Sequence, residues 1–414
     1  MVDSRAPVQR LAIVLQNTST GGWRYVCRLV AGLKTARKSL QVTVFLGRSV
    51  RKVCKSESPQ HLLESLGAEV REMPPLVSSR HRQPLRRLAA RSKEILTSLS
   101  YRRWIAQINS YDCVLFAWPY GIDCPILDCP AFFVPHDLNY LHFTGSFVGD
   151  PTERQNSWQQ HERWLANAFP IVSTQFIADE LVQAFPRCPR IPRVIHLSNL
   201  GQNDALEERR QKEILHSMGI NGDYILSLNN ASPHKNLGQL LSAFHYISRE
   251  RPSMSLVLAG SGTEEIRGNV NHPFYLDYHQ SGAVQSLGLR SDLEVQVLTA
   301  NAKVVVNSSL YEAGNGSGLD AWSLGTPVAM SAIPAFLEQK QVLGVEAQTF
   351  NPRCCYEIRD AIMTILDAPE ESAAAALRSR VGMQNYGWRH VADKYLACFD
   401  GSLVRQPVSY EEAA

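Results

Sequence analysis

The sequence predicts an α/β protein made of two facing Rossmann-like, doubly wound domains with a cleft between them. Three observations support this fold class. The chain has 414 residues, of which 44% are hydrophobic and 20% charged, so two domains can each bury a core. Short apolar runs alternate with longer amphipathic segments, which is typical of parallel sheets covered by helices on both faces. The alternation pauses once, near residues 201–222, and then resumes.

The first series of apolar runs predicts the sheet of an N-terminal domain. Helical patterns at Tyr25–Leu33 and Gln175–Phe185 separate some of these runs. The predicted strands are Leu11–Leu15, Val42–Leu46, Cys113–Ala117, Ala131–Val134, Pro170–Ser173 and Arg193–Leu197. Because strands that alternate with helices pair in parallel, we expect their carboxyl ends to lie along one edge of the sheet.

The second series predicts another sheet of the same kind. Its strands are Tyr224–Leu228, Leu256–Ala259, Val284–Leu287, Val304–Val306 and Pro327–Met330. We therefore place an N-terminal domain at residues 1–205 and a C-terminal domain at 206–385. Residues 386–414 are predicted to form a helix that packs back on the N-terminal domain, followed by a tail.

Cysteine usage and hydropathy indicate a cytoplasmic protein. The nine cysteines are odd in number and include no C-x-x-C pair, which is typical of reduced, buried thiols. The first apolar run, Leu11–Leu15, is too short for a signal peptide. No window approaches the roughly 18 apolar residues of a membrane-spanning helix. We therefore expect any contact with a membrane to be peripheral. The net charge of +3 indicates no particular partner.

The segment 309–328 holds the most informative pattern. Glu312 and Asp320 lie eight positions apart, with Gly314, Gly316 and Gly318 between them. An apolar strand precedes this loop and a short helix follows it, so backbone N–H groups and the helix dipole form an anion site. Carboxylates beside such a site suit the hydroxyl groups of the same ligand, which indicates a sugar nucleotide. In the alternative, Asp320 only complements the helix dipole and Glu312 is a surface acid.

Two other loops of the second domain follow predicted strands. Lys235 comes after the strand Tyr224–Leu228, where its ammonium group could reach a phosphate as a point charge. The alternative is a solvated surface lysine. Gly260 and Gly262 follow the next strand and would let the backbone approach a base or a phosphate. A lone Gly-x-Gly is also compatible with an ordinary strand-to-helix turn.

The first domain contributes Gly21, Gly22 and His136 as candidates. The glycine pair follows the first strand, where it would bring the backbone close to a ligand in the cleft. Alternatively, a helix starts there with Thr20 as its N-cap. His136 follows the strand Ala131–Val134 and could donate to a sugar hydroxyl. The alternative is a structural pair with the neighbouring aspartate.

The sequence predicts neither a metal site nor acyl-transfer chemistry. It contains no Asp-x-Asp triplet and no His/Cys cluster with the spacing of metal ligands. The segment Gly316–Gly318 supplies only part of a Gly-x-Ser-x-Gly elbow, which disfavours acyl transfer.

A basic segment, Arg80–Arg103, carries eight lysines and arginines against one acid, Glu94. Apolar residues lie between them at approximately helical spacing, as in basic helices that bind anionic lipid surfaces. The alternative is a surface helix with a solvated charged face. We do not expect nucleic acid as a partner, because no aromatic stacking motif accompanies the charge.

Taken in chain order, these patterns resemble the retaining glycosyltransferases of family 4, also called glycosyltransferase group 1, which have the GT-B fold. The segment Ser309–Glu338 resembles the family's Glu-x7-Glu motif and the Gly-Thr-Pro-Val strand after it. The other matching segments are Pro233–Asn236, Leu258–Gly262, Leu287–Asp292, His136–Asp137 and Ser173–Phe176. The resemblance covers nearly the whole chain.

The resemblance implies that the domain at 1–205 is the acceptor side and the domain at 206–385 the donor side, and it implies a role for each candidate residue. Glu312 would contact hydroxyls of the donor sugar and His136 would lie near the transferred sugar, so these two are the catalytic candidates. Lys235 would neutralise the diphosphate together with the amides of Gly314–Gly318, and Asp320 would hold the ribose. The donor-binding candidates are Gly21, Gly22, Lys235, Gly260, Gly262, Gly314, Gly316, Gly318 and Asp320.

The implied reaction moves a hexose from a nucleotide-diphosphate sugar to a glycan or lipid-linked acceptor in surface polysaccharide or lipopolysaccharide synthesis. GDP-mannose is the candidate donor. The nucleotide sugar is a co-substrate, and neither a further cofactor nor a metal is implied. Retention would proceed by attack on the same face of the sugar, with the leaving phosphate assisting deprotonation of the acceptor.

Two residues depart from the family pattern. Asp320 stands where the family has glutamate, and Asn230 stands where a basic residue is usual. The diphosphate then has one evident cation, unless another arginine compensates, for which Arg24 is the candidate. These departures support an alternative from another class, a catalytically weak sugar-nucleotide-binding or scaffold protein of the same fold. A GT-B epimerase or phosphorylase is a further enzymatic alternative.

Overall fold

The computed structural model describes residues 7–16, 20–47, 50, 59–74, 99–120, 122, 124–143, 151–201, 206–265 and 282–402. Within these residues, two parallel β-sheets have seven and six strands. Each sheet is covered on both faces by helices, and each face has its own hydrophobic core. The predicted fold class, two doubly wound α/β units, is confirmed.

The first sheet has the strand order β3-β2-β1-β4-β5-β6-β7, with every pair parallel. Its strands are β1 (Arg10–Leu15), β2 (Gln41–Leu46), β3 (Glu69–Glu72), β4 (Cys113–Phe116), β5 (Ala131–Phe133), β6 (Phe169–Val172) and β7 (Arg193–Val194). Leu11 and Ile13 of β1 pack in one core, and Ala12 and Val14 pack in the other. A strand buried on both faces needs apolar residues at every position, so β1 reads as a continuous run.

The second sheet has the strand order β10-β9-β8-β11-β12-β13 and is also parallel throughout. Its strands are β8 (Tyr224–Leu228), β9 (Ser255–Ala259), β10 (Val284–Gly288), β11 (Val304–Asn307), β12 (Val328–Ser331) and β13 (Gln348–Phe350). Ile225 and Leu226, neighbours in the central strand β8, again face opposite cores.

The strands that the sequence missed or overestimated all lie at sheet edges. Glu69–Glu72 and Gln348–Phe350 were not predicted, and the predicted run Arg193–Leu197 forms only the two-residue strand β7. Each of these strands has a single neighbour and is largely exposed. An edge strand does not need a continuous apolar run, so the apolar pattern that identifies central strands is weak there.

Helices connect the strands and flank both sheets. They are α1 (Thr20–Ala36), α2 (Pro59–Ser65), α3 (Asn139–His142), α4 (Pro151–Asn167), α5 (Gln175–Ala184), α6 (Glu208–Ser217), α7 (Leu237–Glu250), α8 (Asp292–Asn301), α9 (Gly316–Leu324), α10 (Pro334–Leu343), α11 (Cys355–Asp367), α12 (Pro369–Asn385) and α13 (Trp388–Ser402). Residues 99–108 are also helical. Short 3-10 turns lie at Pro233–Lys235 and Thr263–Glu265.

The last helix, α13, packs against α1 of the first domain. Tyr395 and Phe399 of α13 lie in the core of the first sheet, and the Tyr395 hydroxyl is 2.7 Å from that of Tyr25. The two helices approach each other closely at Gly32, where a methyl group would lie 2.4 Å from the backbone oxygen of Trp388. The first strand and the last helix of the described residues therefore share one core.

The described residues also include most of the cysteines and the end of the basic segment. The eight cysteines in the described ranges are all free thiols. No helix in those ranges is both long and apolar enough to cross a lipid bilayer. Residues 80–98 of the basic segment lie outside the described residues. In the remainder, Arg102 and Arg103 are exposed, whereas Trp104 is 3% exposed and packs in the core.

We expect Gly32→Ala to lower the free energy of unfolding by about 1–3 kcal/mol, because the added methyl group must displace α13 from α1. Gly238→Ala is the matched control, since nothing lies within 4 Å of a methyl group at this position of α7. It should be neutral or stabilising by up to about 1 kcal/mol, because alanine favours helices over glycine. Urea unfolding followed by circular dichroism measures both changes. Equal effects of the two substitutions would contradict the close packing of α13 on α1.

Candidate active site

The turn that carries Lys235 is joined to the loop that carries Glu312. The backbone N–H of Leu310 donates to the His234 oxygen at 2.7 Å, and Ser308 Oγ donates to the Lys235 oxygen at 3.0 Å. Asn236 ends the turn in the left-handed conformation with φ of 59°, which asparagine tolerates better than most residues. These bonds fix the carboxyl ends of β8 and β11 beside each other.

Lys235 and Glu312 form an ion pair in this arrangement. The Lys235 ammonium donates to Glu312 Oε1, and Ser309 Oγ donates to the same oxygen at 2.7 Å. The two charged side chains are only 16% and 14% exposed. His234 Nε2 lies 4.0 Å from Glu312 Oε1. Burial lowers the pKa of His234 to about 4, so this imidazole is neutral near pH 7. The cluster thus has one cation and one anion.

The glycine loop leads directly into α9. Asn315, which is fully buried, caps the helix: its side-chain oxygen accepts the N–H of Gly318 at 2.9 Å. Its own backbone N–H donates to the side-chain oxygen of Gln339 at 2.5 Å. Two of the amides predicted to hold the diphosphate are therefore bound to protein side chains. The other N–H groups of the first turn belong to Gly316 and Ser317, and these are the amides an anion at this helix terminus would meet.

Close packing explains two of the loop's glycines. A methyl group at Gly314 would lie 2.7 Å from the Gln339 side-chain nitrogen, and one at Gly318 would lie 2.4 Å from the Asn315 side-chain nitrogen. Gly316 is less crowded, because the nearest atom, Leu200 Cδ1, is 3.8 Å away. The density of glycine in this loop thus serves the packing of the loop as well as access to a ligand.

Gly260 and Gly262 hold the end of β9 against the end of β8. A methyl group at Gly260, whose φ is 146°, would lie 2.2 Å from the backbone oxygen of Asn229. Gly262 has a φ of 81°, and between the two glycines Ser261 accepts the N–H of Ala231 at 3.0 Å. Both glycines are therefore required by the backbone, which accounts for their presence without a ligand contact.

Asp320 lies in α9 and contacts the segment that links the two domains. Its Oδ1 accepts the backbone N–H groups of Leu200 and Gly201 at 2.8 and 2.7 Å. Its Oδ2 lies 3.7 Å from Arg24 Nη1 of the first domain. Burial raises the pKa of this carboxyl group, and Arg24 and the two N–H groups oppose the shift. A ribose at Asp320 would have to share or replace these partners, so the ribose contact stays a prediction.

Arg24, the candidate substitute for a basic residue at position 230, lies in the first domain and contacts the second. Besides approaching Asp320, its guanidinium contacts Asp292 Oδ1, with Nε at 2.7 Å and Nη2 at 2.5 Å. Asn230 is exposed and accepts the N–H of Ser232 at 3.1 Å. The positive charge of Arg24 is therefore shared between two carboxylates of the second domain.

The first-domain candidates lie at the ends of β1 and β5. Helix α1 begins at Thr20, so Gly21 and Gly22 lie in its first turn. His136 is partly exposed and its Nε2 lies 2.7 Å from the backbone oxygen of Ala117. Burial lowers the pKa of His136 to about 4, so it is neutral and donates one N–H to this carbonyl. Its other nitrogen is then an acceptor.

Asp137, which the sequence analysis noted only as a neighbour of His136, is a further ionisable group of the site. Its Oδ1 accepts the backbone N–H of Asn139 at 3.1 Å. Burial and the charge of Glu312 raise its pKa to about 6, while the Asn139 N–H and Lys235 oppose the shift. The residue after Asp137, Leu138, donates its backbone N–H to the hydroxyl of Tyr311, the neighbour of Glu312, at 3.2 Å.

Tyr311 connects the two sides of the cleft and was not predicted as a site residue. It is 6% exposed, its hydroxyl accepts the Leu138 N–H at 3.2 Å, and it donates to Glu180 Oε2 at 2.5 Å. Its ring packs with Val172 and Ile177 of the first domain. Burial and the neighbouring carboxylate raise the pKa of Tyr311, so the hydroxyl stays protonated. No spacing in the sequence identifies these partners, which come from distant segments.

Glu338 of α10 forms a second contact between the domains. Its carboxylate accepts the N–H groups of Gln175 and Phe176, at 2.5 and 2.9 Å, and His196 Nε2 lies 2.7 Å from it. These N–H groups belong to the first turn of α5, where an anion is stabilised by the helix terminus. Nearby, the hydroxyls of Ser173 and Thr174 donate to the Ala313 oxygen. The glycine loop and α10 are thus both held against the first domain.

The described residues offer anion and hydroxyl partners rather than a metal site. Within the ranges given above, no three His, Cys, Asp or Glu side chains cluster as metal ligands would. The groups that converge on the cleft are an ammonium, two carboxylates, neutral imidazoles and a helix N-terminus.

This chain is similar to known proteins both in sequence and in structure. Residues 211–374 match the family described as glycosyl transferases group 1. HepE of Anabaena, solved in complex with UDP and glucose, aligns with a TM-score of 0.67 and 17% identity over 95% of this chain and 100% of that one. WaaG, a glycosyltransferase involved in lipopolysaccharide biosynthesis, aligns with a TM-score of 0.68 and 12% identity over 94% and 100%. No curated protein matches the chain by sequence.

A third solved structure extends the same similarity. Sucrose-phosphate synthase from Thermosynechococcus elongatus aligns with a TM-score of 0.65 and 16% identity over 95% of this chain and 99% of that one. The predicted resemblance to group 1 glycosyltransferases and the GT-B fold are confirmed. The sequence match is confined to the second domain, whereas the structural similarity extends over both. Membership of the retaining family 4 stays a prediction.

We expect Glu338→Ala to lower the free energy of unfolding by about 2 kcal/mol, because it leaves two N–H groups and His196 without their charged partner. The matched control is Glu346→Ala, whose exposed carboxylate pairs with Arg378. Such a pair contributes about 0–1 kcal/mol. Urea unfolding compares the two, and small-angle scattering reports any change in the separation of the domains. A Glu338→Ala variant as stable as Glu346→Ala would refute this role of Glu338.

Proposed function

We propose that this chain, whose residues 211–374 match the group 1 glycosyltransferases, is a retaining hexosyltransferase of family 4. It would move a hexose from a nucleotide-diphosphate sugar to a glycan or lipid-linked acceptor. The observation that carries the proposal is the Lys235–Glu312 ion pair. Glu312 lies in the loop that leads into the N-terminus of α9.

The proposed chemistry follows from the charges of these groups. When the sugar leaves, negative charge develops on the diphosphate, and preorganised cations and dipoles stabilise it. Lys235 and the first-turn amides of Gly316 and Ser317 supply such groups. Glu312 would accept hydrogen bonds from hydroxyls of the donor sugar. The contacts of Asp320 and Glu338 with the first domain close the cleft, which would limit attack by water.

On the opposite side, His136 would lie near the transferred sugar. Its neutral imidazole has one nitrogen committed to the Ala117 carbonyl and can accept a hydrogen bond with the other. With no protein nucleophile assigned, the acceptor hydroxyl attacks on the face that the diphosphate leaves. The leaving phosphate takes the acceptor's proton, so product and nucleotide diphosphate form in one step. The reaction needs no cofactor and, in this proposal, no metal.

The donor and the acceptor are identified only by class. GDP-mannose is the sugar nucleotide expected from the sequence. HepE was solved with UDP and glucose, and WaaG takes part in lipopolysaccharide biosynthesis. These neighbours support testing UDP-glucose beside GDP-mannose, and a surface polysaccharide or lipopolysaccharide precursor as the acceptor.

A second candidate function is a sugar-nucleotide-binding or scaffold protein with weak catalysis. The partners of Asp320 and Arg24 favour it, because both side chains are engaged in contacts between the domains. Calorimetry that finds tight donor binding, together with no turnover on any acceptor, would select this candidate over the enzyme.

We expect Glu312→Ala to lower turnover by about 10²–10³-fold, the range found when one preorganised polar group is removed from a transition state. The assay measures release of nucleotide diphosphate from GDP-mannose, UDP-glucose and UDP-N-acetylglucosamine, with and without EDTA. Glu346→Ala is the control for a carboxylate outside the cleft. If wild type and Glu312→Ala behave alike on every donor while both melt normally, the active-site assignment is wrong. A loss of activity in EDTA would refute metal independence.

We also propose that the protein is cytoplasmic and binds the membrane surface through Arg80–Arg103. We expect co-sedimentation with vesicles that contain anionic lipid, and weaker binding as salt increases, because charges near a membrane are screened over about 10 Å at 0.1 M salt. Reversal of Arg86 and Arg87 to glutamate should reduce binding, whereas reversal of exposed Arg209 and Arg210 in the other domain should not. Equal binding to neutral vesicles would count against the proposal.

A further inference from the structure

Asp137 lies on the first-domain side of the cleft, directly opposite the groups assigned to the donor. It follows β5, and the next residue, Leu138, donates its N–H to the hydroxyl of Tyr311 at 3.2 Å. Tyr311 is in turn the residue before Glu312. One hydrogen bond between the domains therefore joins the chain neighbours of Asp137 and Glu312, which holds the turn of Asp137 beside the segment of Glu312.

The backbone around Asp137 is fixed by hydrogen bonds. The Tyr120 hydroxyl donates to the Asp137 backbone oxygen at 3.2 Å, and the Asn139 N–H binds Oδ1 at 3.1 Å. One carboxylate oxygen is thus held by the turn. Asp137 as a whole residue is only partly buried.

The charges around Asp137 restrict what it can bind. The ionisable side chains that interact electrostatically with Asp137, or that lie beside it, are Glu312, Lys235, Tyr120, Tyr140, Tyr311 and the neutral His136. Lys235 is already paired with Glu312. A second carboxylate here repels a phosphate, so Asp137 is unsuited to the diphosphate of a donor. An ionised carboxylate is instead a strong acceptor for a hydroxyl group.

We propose that Asp137 binds the acceptor hydroxyl that attacks the donor sugar, an inference that rests on the proposed glycosyl transfer. The carboxylate accepts a hydrogen bond from this hydroxyl and orients its oxygen toward the sugar held by Glu312. Asp137 takes no proton in the reaction, because the leaving phosphate does so. The same carboxylate selects for acceptors whose attacking hydroxyl has no anionic neighbour, such as neutral hexosides, over uronic acids.

The test compares wild type, Asp137→Asn and a control, Asp128→Asn, an exposed carboxylate of the same domain. Transfer to octyl hexosides and hydrolysis of the donor are measured separately. We expect Asp137→Asn to raise the acceptor KM by about 10–100-fold, the worth of a hydrogen bond to a charged group. Donor KM and donor hydrolysis should change by less than about twofold, as for groups outside the donor contacts. Asp128→Asn should match wild type.

The pH dependence gives a readout that a structural role would not produce. Asp137 accepts a charge-assisted hydrogen bond only when ionised, since the protonated acid is a weaker acceptor, and its pKa is raised to about 6. The acceptor KM of wild type should therefore be lowest above pH 6 and rise as the pH falls through 6, whereas that of Asp137→Asn should be flat. Octyl hexuronides should be poor acceptors for wild type and improve relative to hexosides in Asp137→Asn.

Three outcomes would overturn the inference. Asp137→Asn could lose donor hydrolysis and transfer equally, which would make it a donor residue. It could leave the acceptor KM unchanged, or it could bind hexosides and hexuronides with the wild-type preference. If wild type turns over no donor, the proposed function fails by itself. Calorimetry with octyl hexosides in the presence of GDP or UDP then decides the role of Asp137, since wild type should bind them more tightly than Asp137→Asn.

Discussion

Carboxylates of the second domain that accept backbone N–H groups of the first domain determine the geometry of the whole cleft. Asp320 binds the N–H groups of Leu200 and Gly201, and Glu338 binds those of the first turn of α5. A buried N–H group without a partner is costly, so each of these contacts fixes the orientation of one domain to the other. The loops that carry Glu312 and Asp137 are placed opposite each other as a result.

Within this cleft, net charge gives an anionic ligand little attraction. His234 and His136 are both neutral near pH 7, because burial lowers the pKa of each to about 4. Lys235 therefore neutralises Glu312 but adds no excess charge. The remaining attraction for an anion comes from the N-terminus of α9, which acts over a short range. Such a site would hold a diphosphate through directed N–H groups more than through net charge.

The sequence predicted what depends on local pattern and missed what depends on distant contacts. Central strands such as β1 were recognisable because burial on both faces demands continuous apolar residues, whereas the polar edge strand Glu69–Glu72 carries no such signal. Glycine density and strand ends identified the loops of Glu312 and Lys235, but not the ion pair between them. Tyr311 could not be interpreted at all, because its hydrogen-bond partners lie 131 and 173 positions away.

Asp320, which departs from the family pattern, packs closely against the linker between the domains, at Leu200 and Gly201. A methyl group at Gly201 would lie 3.2 Å from the Asp320 carboxyl carbon and 3.3 Å from both oxygens, so a larger residue at 201 would be tight against this carboxylate. A glutamate would extend the carboxylate by roughly 1.5 Å, the length of one carbon–carbon bond, into the same space. It would have to turn away from Leu200 and Gly201 and release their N–H groups. Gly201 and the short side chain of Asp320 therefore fit together. The shorter acid allows the N–H groups of the linker to bind Asp320 in α9.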